Sequence, residues 1–304
     1  MKQPQKKFAV PKSASPARGF TMLELLVASV VLLVVVGGAV NYISLATQRS
    51  KSEQVKVDLV QEGREFVDEF ERDIHQAGFP GCGAFNGAGT VNCTAMYNNV
   101  NIADGLVYVS NTRIIFEGDI TGLGTVASVQ YELVDSNLTW PPAGTCPCII
   151  ERSQVPKVAN ASYVPGTSPI AGGYTQATNW SQELQNVINS GVPGGTTTYG
   201  GGLPLAGNVL FDGGAITNTA YYAQVTTMKD FPIFTAYDQF GAVVPLPLDN
   251  STKAGQQALA KIRSIRLTIN LLGTASAGYD QKTGVRPVVT LVGDGRRGNK
   301  MAWE

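Results

Sequence analysis

Three patterns of apolar and polar positions follow one another along the chain. From Phe20 to Val40 the residues are apolar except at Thr21, Glu24 and Ser29. Those 21 residues, at 1.5 Å rise, span roughly 30 Å, the thickness of a bilayer's hydrocarbon core, and predict a membrane-spanning helix. From Gln54 to Gln76 there is no proline, and Leu59, Phe66, Phe70 and Ile74 recur at helical spacing, thickened by Val60 and Val67. Glu62, Arg64, Glu65, Asp68, Glu69, Glu71 and Arg72 fill the other positions. The pattern predicts an amphipathic helix with one face to bury, expected to pack on the chain's own sheet, with a contact to another subunit as the alternative. Joined to the apolar run, it predicts one helix of about 85 Å from Phe20 to about Gln76. Ala77-Gly78-Phe79-Pro80-Gly81 ends it, with glycine at a capping position and proline just beyond.

The third pattern is strands and loops. Ile265, Leu267, Ile269 and Leu271 alternate with Arg266, Thr268 and Asn270, a period-two strand. Val285 to Val292 predicts another, whose Pro287 marks an edge or a strand start. Further strands are predicted over Gly105–Val109, Arg113–Glu117, Ser128–Val134, Ile149–Arg152, Asn208–Phe211 and Phe231–Tyr237, bounded by turn residues such as Asp135-Ser136-Asn137 and Asp238-Gln239-Phe240-Gly241. Two Gly/Ser/Thr/Pro tracts, GTSPIAGGYTQATNW and GVPGGTTTYGGGLP, predict long surface loops, with a short helix from Trp180 to Asn189 between them. No internal repeat is apparent.

Charge then orients the chain. Residues 1–19 hold Lys2, Lys6, Lys7, Lys12 and Arg18 and no acid, although the whole chain is formally neutral. The positive-inside rule keeps this end in the cytoplasm and sends the rest across. Without those five, 18 basic residues face 23 acidic ones, an acidic remainder that argues against direct nucleic-acid binding. Only 15% of residues are charged, and the 34 Gly and 16 Pro suit a loop-rich β head better than a helical bundle.

Glu24 is the anomaly. A charge central to a membrane helix costs about 2.5–3.5 kcal/mol and calls for a partner. No Lys, Arg or His lies between Phe20 and Gln48, so the cation comes from outside the segment. With the basic block, Gly19 and the run Phe20-Thr21-Met22-Leu23-Glu24-Leu25, the junction resembles the class III leader of type IV pilins and type II secretion pseudopilins. The resemblance implies cutting after Gly19 by a prepilin peptidase, N-methylation of Phe20, and pairing of Glu24 with the freed amine of a neighbouring subunit during assembly. An uncleaved signal anchor, with Glu24 reaching the headgroups, is the alternative. Many major pilins carry a proline within this helix. Here Gly37-Gly38 stands in that region, and glycine lowers helix propensity by about 1 kcal/mol.

EFERDIHQAGFPGCG resembles the helix end of PilW-type minor pilins, and VQYELVDSNLTW, PIFTAYDQFGAVV, KIRSIRLTINLL and VRPVVTLVG resemble, in order, the strands of such heads. The implied fold is α+β, the type IV pilin fold: a cytoplasmic leader over 1–19, a transmembrane helix over 20–41, an amphipathic helix over 42–77 and a β-rich, disulfide-containing head over 78–304. The implied setting is the inner membrane, with the head in the periplasm and then in the pilus fibre. The implied partners are the prepilin peptidase, other pilins or minor pilins, and inner-membrane lipid.

Cys82, Cys93, Cys146 and Cys148 all fall on the exported side, where an even number reads as a disulfide framework. Three pairings are open. Cys82–Cys93 closes a short loop and is the first choice, leaving Cys146 and Cys148, with one residue between them, to form a strained bridge. Otherwise these two cross to Cys82 and Cys93. A zinc site is disfavoured because His75 is the sole histidine, and His75 itself reads as a helix-end cap or solvated residue. No nucleophile elbow or Walker loop occurs. Gly293–Lys300, GDGRRGNK, reads as a basic solvated tail, and Asp249-Asn250 and Asp280 lack calcium-loop spacing. No cofactor or metal is assigned, and the chain is expected not to be an enzyme. A minor pilin is the leading expectation, followed by a type II secretion pseudopilin and, from another class, a membrane-anchored adhesin or binding protein.

Overall fold

The structure, a computed structural model, describes residues 19, 21–81, 99–135, 137–140, 148–159, 177–189, 227–228, 231–273 and 287–298. The chain divides into two compact units, Met1–Thr47 and Gln48–Glu304. It is α+β, with a long N-terminal apolar helix and a C-terminal antiparallel sheet, consistent with the type IV pilin fold.

Helix α1 (Met22–Gln76) starts at the apolar run and ends at the predicted stop. It stays helical through Gly37 and Gly38, as a helix can when each glycine costs only about 1 kcal/mol. In the first unit its residues are exposed; Ser29 and Thr47 turn their hydroxyls back onto the carbonyls of Leu26 and Ile43, both at 2.8 Å.

In the second unit Leu59, Gly63, Phe66, Val67, Phe70, Asp73 and Ile74 are buried, so the predicted stripe does pack on the chain's own sheet. Val60 is only half-buried and lines a shallow groove with Val57 instead of joining the core. The described sheet has ten strands: β1 (Leu106–Val109), β2 (Arg113–Gly118), β3 (Ala127–Val134), β4 (Cys148–Pro156), β5 (Trp180–Val187), β6 (Phe234–Tyr237), β7 (Val243–Val244), β8 (Leu248–Asp249), β9 (Ser264–Leu272) and β10 (Val288–Arg296). Their order is β7-β6-β9-β5-β4-β3-β2-β1-β8, with β10 paired along the whole of β9. A short helix α2 (Lys253–Lys261) precedes β9; Thr252 caps it by accepting the Gly255 N–H at 3.0 Å.

Tyr131 on β3 is the centre of the core. Phe66 and Phe70 meet its ring edge-on at 5.8 and 5.5 Å, Phe116 stacks on it at 6.5 Å, and Phe70 stacks on Phe234 at 5.6 Å. Such pairs add about 0.5–1.5 kcal/mol beyond the area they bury.

Three expectations change. Trp180–Asn189 is a strand over Trp180–Val187, not a helix. Its inward Leu184 and Val187 are three apart, which mimics helical spacing. They oppose Ile150 and Cys148, which are two apart, so β5 carries an extra residue, a bulge at which Asn186 takes φ +60°. Phe231–Tyr237 shortens to the strand Phe234–Tyr237. Gly293-Asp294-Gly295-Arg296 is no solvated tail but the last four residues of β10, lying against α1. Asn208–Phe211 lies outside the described residues.

Candidate functional site

The N-terminal turn of α1 is built by its own sequence. Thr21 sits just before the helix, and its hydroxyl and carbonyl accept the Glu24 N–H at 3.3 and 3.0 Å; its carbonyl also accepts the Leu25 N–H at 3.2 Å. Thr-x-x-Glu is the spacing of a capping box, a signal present in the sequence itself. Glu24 therefore lies in the first turn, where unpaired N–H groups and the positive end of the helix favour a carboxylate. Its carboxylate is exposed and makes no hydrogen bond or ion pair among the described residues. The next cation along the sequence is Arg49. Gly19 is exposed, and a Cβ there would meet nothing within 4 Å. Phe20 lies outside the described residues.

An accessible glycine, a capped helix start, a carboxylate open to a partner and an unburied apolar span long enough to cross a bilayer follow in order. Residues 15–40 match the prokaryotic N-terminal methylation motif. This motif, the class III leader of type IV pilins, supports a place among type IV pilins or pseudopilins, anchoring in a membrane, processing by a prepilin peptidase and assembly with other pilins. Comparison with curated proteins and with solved structures gives no match.

Among the described residues, the head holds no second constellation of that kind. His75 is exposed at the end of α1, with its carbonyl accepting the Gly298 N–H at 3.3 Å. Asp249 spends its carboxylate on Ser251, whose N–H and hydroxyl it accepts at 3.0 and 2.5 Å; Asp280 lies outside the described residues. Among the described residues no group of three His, Cys, Asp or Glu is placed to hold a metal. Cys148, fully buried at the start of β4, is disulfide-bonded. Cys82, Cys93 and Cys146, and with them the pairing, lie outside the described residues.

Sequence reasoning missed the buried charges. Asp73, on the core face of α1, is fully buried and accepts from Arg152 Nη2 and from the Tyr131 hydroxyl, both at 2.7 Å. Glu69 adds its carboxylate 3.5 Å from Arg152 Nε. Burial, then the Asp73 charge, pushes the Tyr131 hydroxyl well above its ordinary value, so it stays a donor. Burial also raises Glu69, while Arg152 pulls it down. A carboxylate three residues after Phe70, on an apolar face, was the available signal.

Proposed function

We propose that this chain is a minor pilin of a type IV pilus, anchored in the inner membrane with its leader cytoplasmic and its head periplasmic, and that it enters or primes the filament. The role is structural rather than enzymatic. The observation that carries the proposal is Glu24: an open carboxylate in the first helical turn, five residues after a methylation-motif junction, in a span that supplies no cation. Cutting after Gly19 would create an amine on Phe20. In the low dielectric of lipid that amine, on a neighbouring subunit, is the chemically fitting partner for a carboxylate. The helix-end segment ERDIHQAGFPG, with its PilW-like form, favours the minor pilin. The leader alone serves a type II secretion pseudopilin equally well, and neighbouring genes for pilus assembly or for a secretin system separate the two.

The test is Glu24→Ala in cells that assemble filaments. Leader removal should persist while incorporation falls sharply, because the incoming amine loses its counter-charge. Incorporation at the native level would refute the pairing.

A further inference from the structure

Where the chain leaves α1, three segments are tied together around two carboxylates. The Ala103 N–H donates to the Pro80 carbonyl at 2.9 Å, the Gly78 N–H to the Glu117 carbonyl at 2.8 Å, and the Asp119 N–H to the Phe79 carbonyl at 2.7 Å. Beneath this lattice Asp104 and Glu117 are fully buried, and Lys157 nearly so. Glu117 Oε2 accepts both the Asp104 N–H at 2.8 Å and Lys157 Nζ at 2.7 Å. Lys157 Nζ also donates to the Ile102 carbonyl at 2.8 Å and stands 3.7 Å from Asp104 Oδ1. Among the described residues, neither carboxylate oxygen of Asp104, nor Glu117 Oε1, accepts a hydrogen bond.

We propose that Asp104, Glu117 and Lys157 form a proton-operated latch: with a proton on Asp104 it holds Asn99–Gly105 against β2 and the end of α1, and loss of that proton loosens it. The argument is one of charge in a dry site. Glu117 with Lys157 is a neutral pair, and an ionised Asp104 adds a second negative charge facing the same ammonium, which stands 3.7 Å away and is already bonded to Glu117. Among the described residues, the charges acting on Asp104 are those of Glu117 and Lys157. Asp119 faces its own turn, accepting the Leu123 and Gly124 N–H groups at 3.2 and 2.7 Å. On α1, Asp73 is held by Arg152 and Tyr131, and His75 is exposed. Residues 82–98, which join the latch to the helix end, contain no Asp, Glu, Lys, Arg or His, so no counter-charge comes from them.

Burial first, and the Glu117 charge second, lift Asp104 from 3.8 to about 7 against the pull of Lys157. An acid raised in the folded state gives stability that is complete below its unfolded value and lost as pH rises through the folded one. The latch is therefore tight in mild acid, loosens up to about neutrality and changes no further above it.

The test is amide hydrogen exchange on the full chain in detergent, corrected for intrinsic rates, at about pH 5.5 and about pH 8.5. Peptides covering Asn99–Gly105 and Ile115–Asp119 should lose protection by about ten-fold or more at the higher pH, while β9 and β10 hold theirs. Asp104→Asn should keep low-pH protection at both. Equal protection of the wild-type peptides at the two pH values, or the same loss in Asp104→Asn, overturns the latch. Should that variant not fold, the wild-type profile decides: a loss of protection confined to these peptides that grows through mild acid and levels off near neutrality supports the latch, and a flat or chain-wide profile overturns it.

Discussion

Asp73 occupies a place where the stripe of α1 calls for an apolar side chain, and the fold meets that charge with Arg152 and Tyr131. Removing one member of a buried ion pair costs about 3–5 kcal/mol, because the other is left charged and dry. Arg152→Met should therefore lower the head's stability by about 3 kcal/mol or more in denaturant unfolding, and Asp73→Leu with Arg152→Met should recover much of that loss. Tyr131→Phe, which removes one donor and leaves the rings packed, should cost about 1–3 kcal/mol. None of this was legible beforehand, and the reason is distance along the chain. Leu59, Phe66, Phe70 and Ile74 announce their shared face because helical periodicity is local. Asp73 and Arg152 are 79 positions apart, as Glu117 and Lys157 are 40 apart, and no local pattern links them. Glu24 could be singled out because its cost is set by the apolar residues beside it alone.

At the scale of elements, α1, β9 and the first part of β10 followed from period, while β5 and the last part of β10 did not. In β5 the bulge at Asn186 breaks the two-residue alternation, so a strand presents inward residues at helical spacing. At φ +60° a branched side chain is strained by about 1–2 kcal/mol and glycine is not. Asn186→Val should destabilise by about that amount in thermal unfolding, and Asn186→Gly should stay within about 0.5 kcal/mol of wild type. In β10, glycine and charge at Gly293–Arg296 look like a tail because the sequence does not show what they touch. A Cβ on Gly293 would collide with Val67, and one on Gly295 would press on Ile74 at 3.0 Å. These glycines let the strand lie directly on the helix, while Glu71 accepts the Asp294 N–H at 2.9 Å. Gly293→Val should force the two apart and cost about 1–3 kcal/mol, the range for overpacking, read from the same melting curves.

For the molecule as a whole, the N-terminal unit was the most legible part, since basic leader, glycine, apolar length and isolated acid each have a physical reading and all four agree. The cysteine framework and the loops around it were not, because pairing depends on where the fold brings distant segments. The proposed function requires a processed N-terminus. Gly19→Leu should block processing, because a bulky side chain replaces the small residue at the cut, and the protein in membranes should then keep its full length by mass. The most direct measurement is the intact mass and N-terminal fragment spectrum of the wild-type protein extracted from its native membrane. The account predicts a chain that starts at Phe20 and carries one added methyl group on the α-amine. A chain that still holds residues 1–19 would contradict it, since the cation proposed for Glu24 would never have been made.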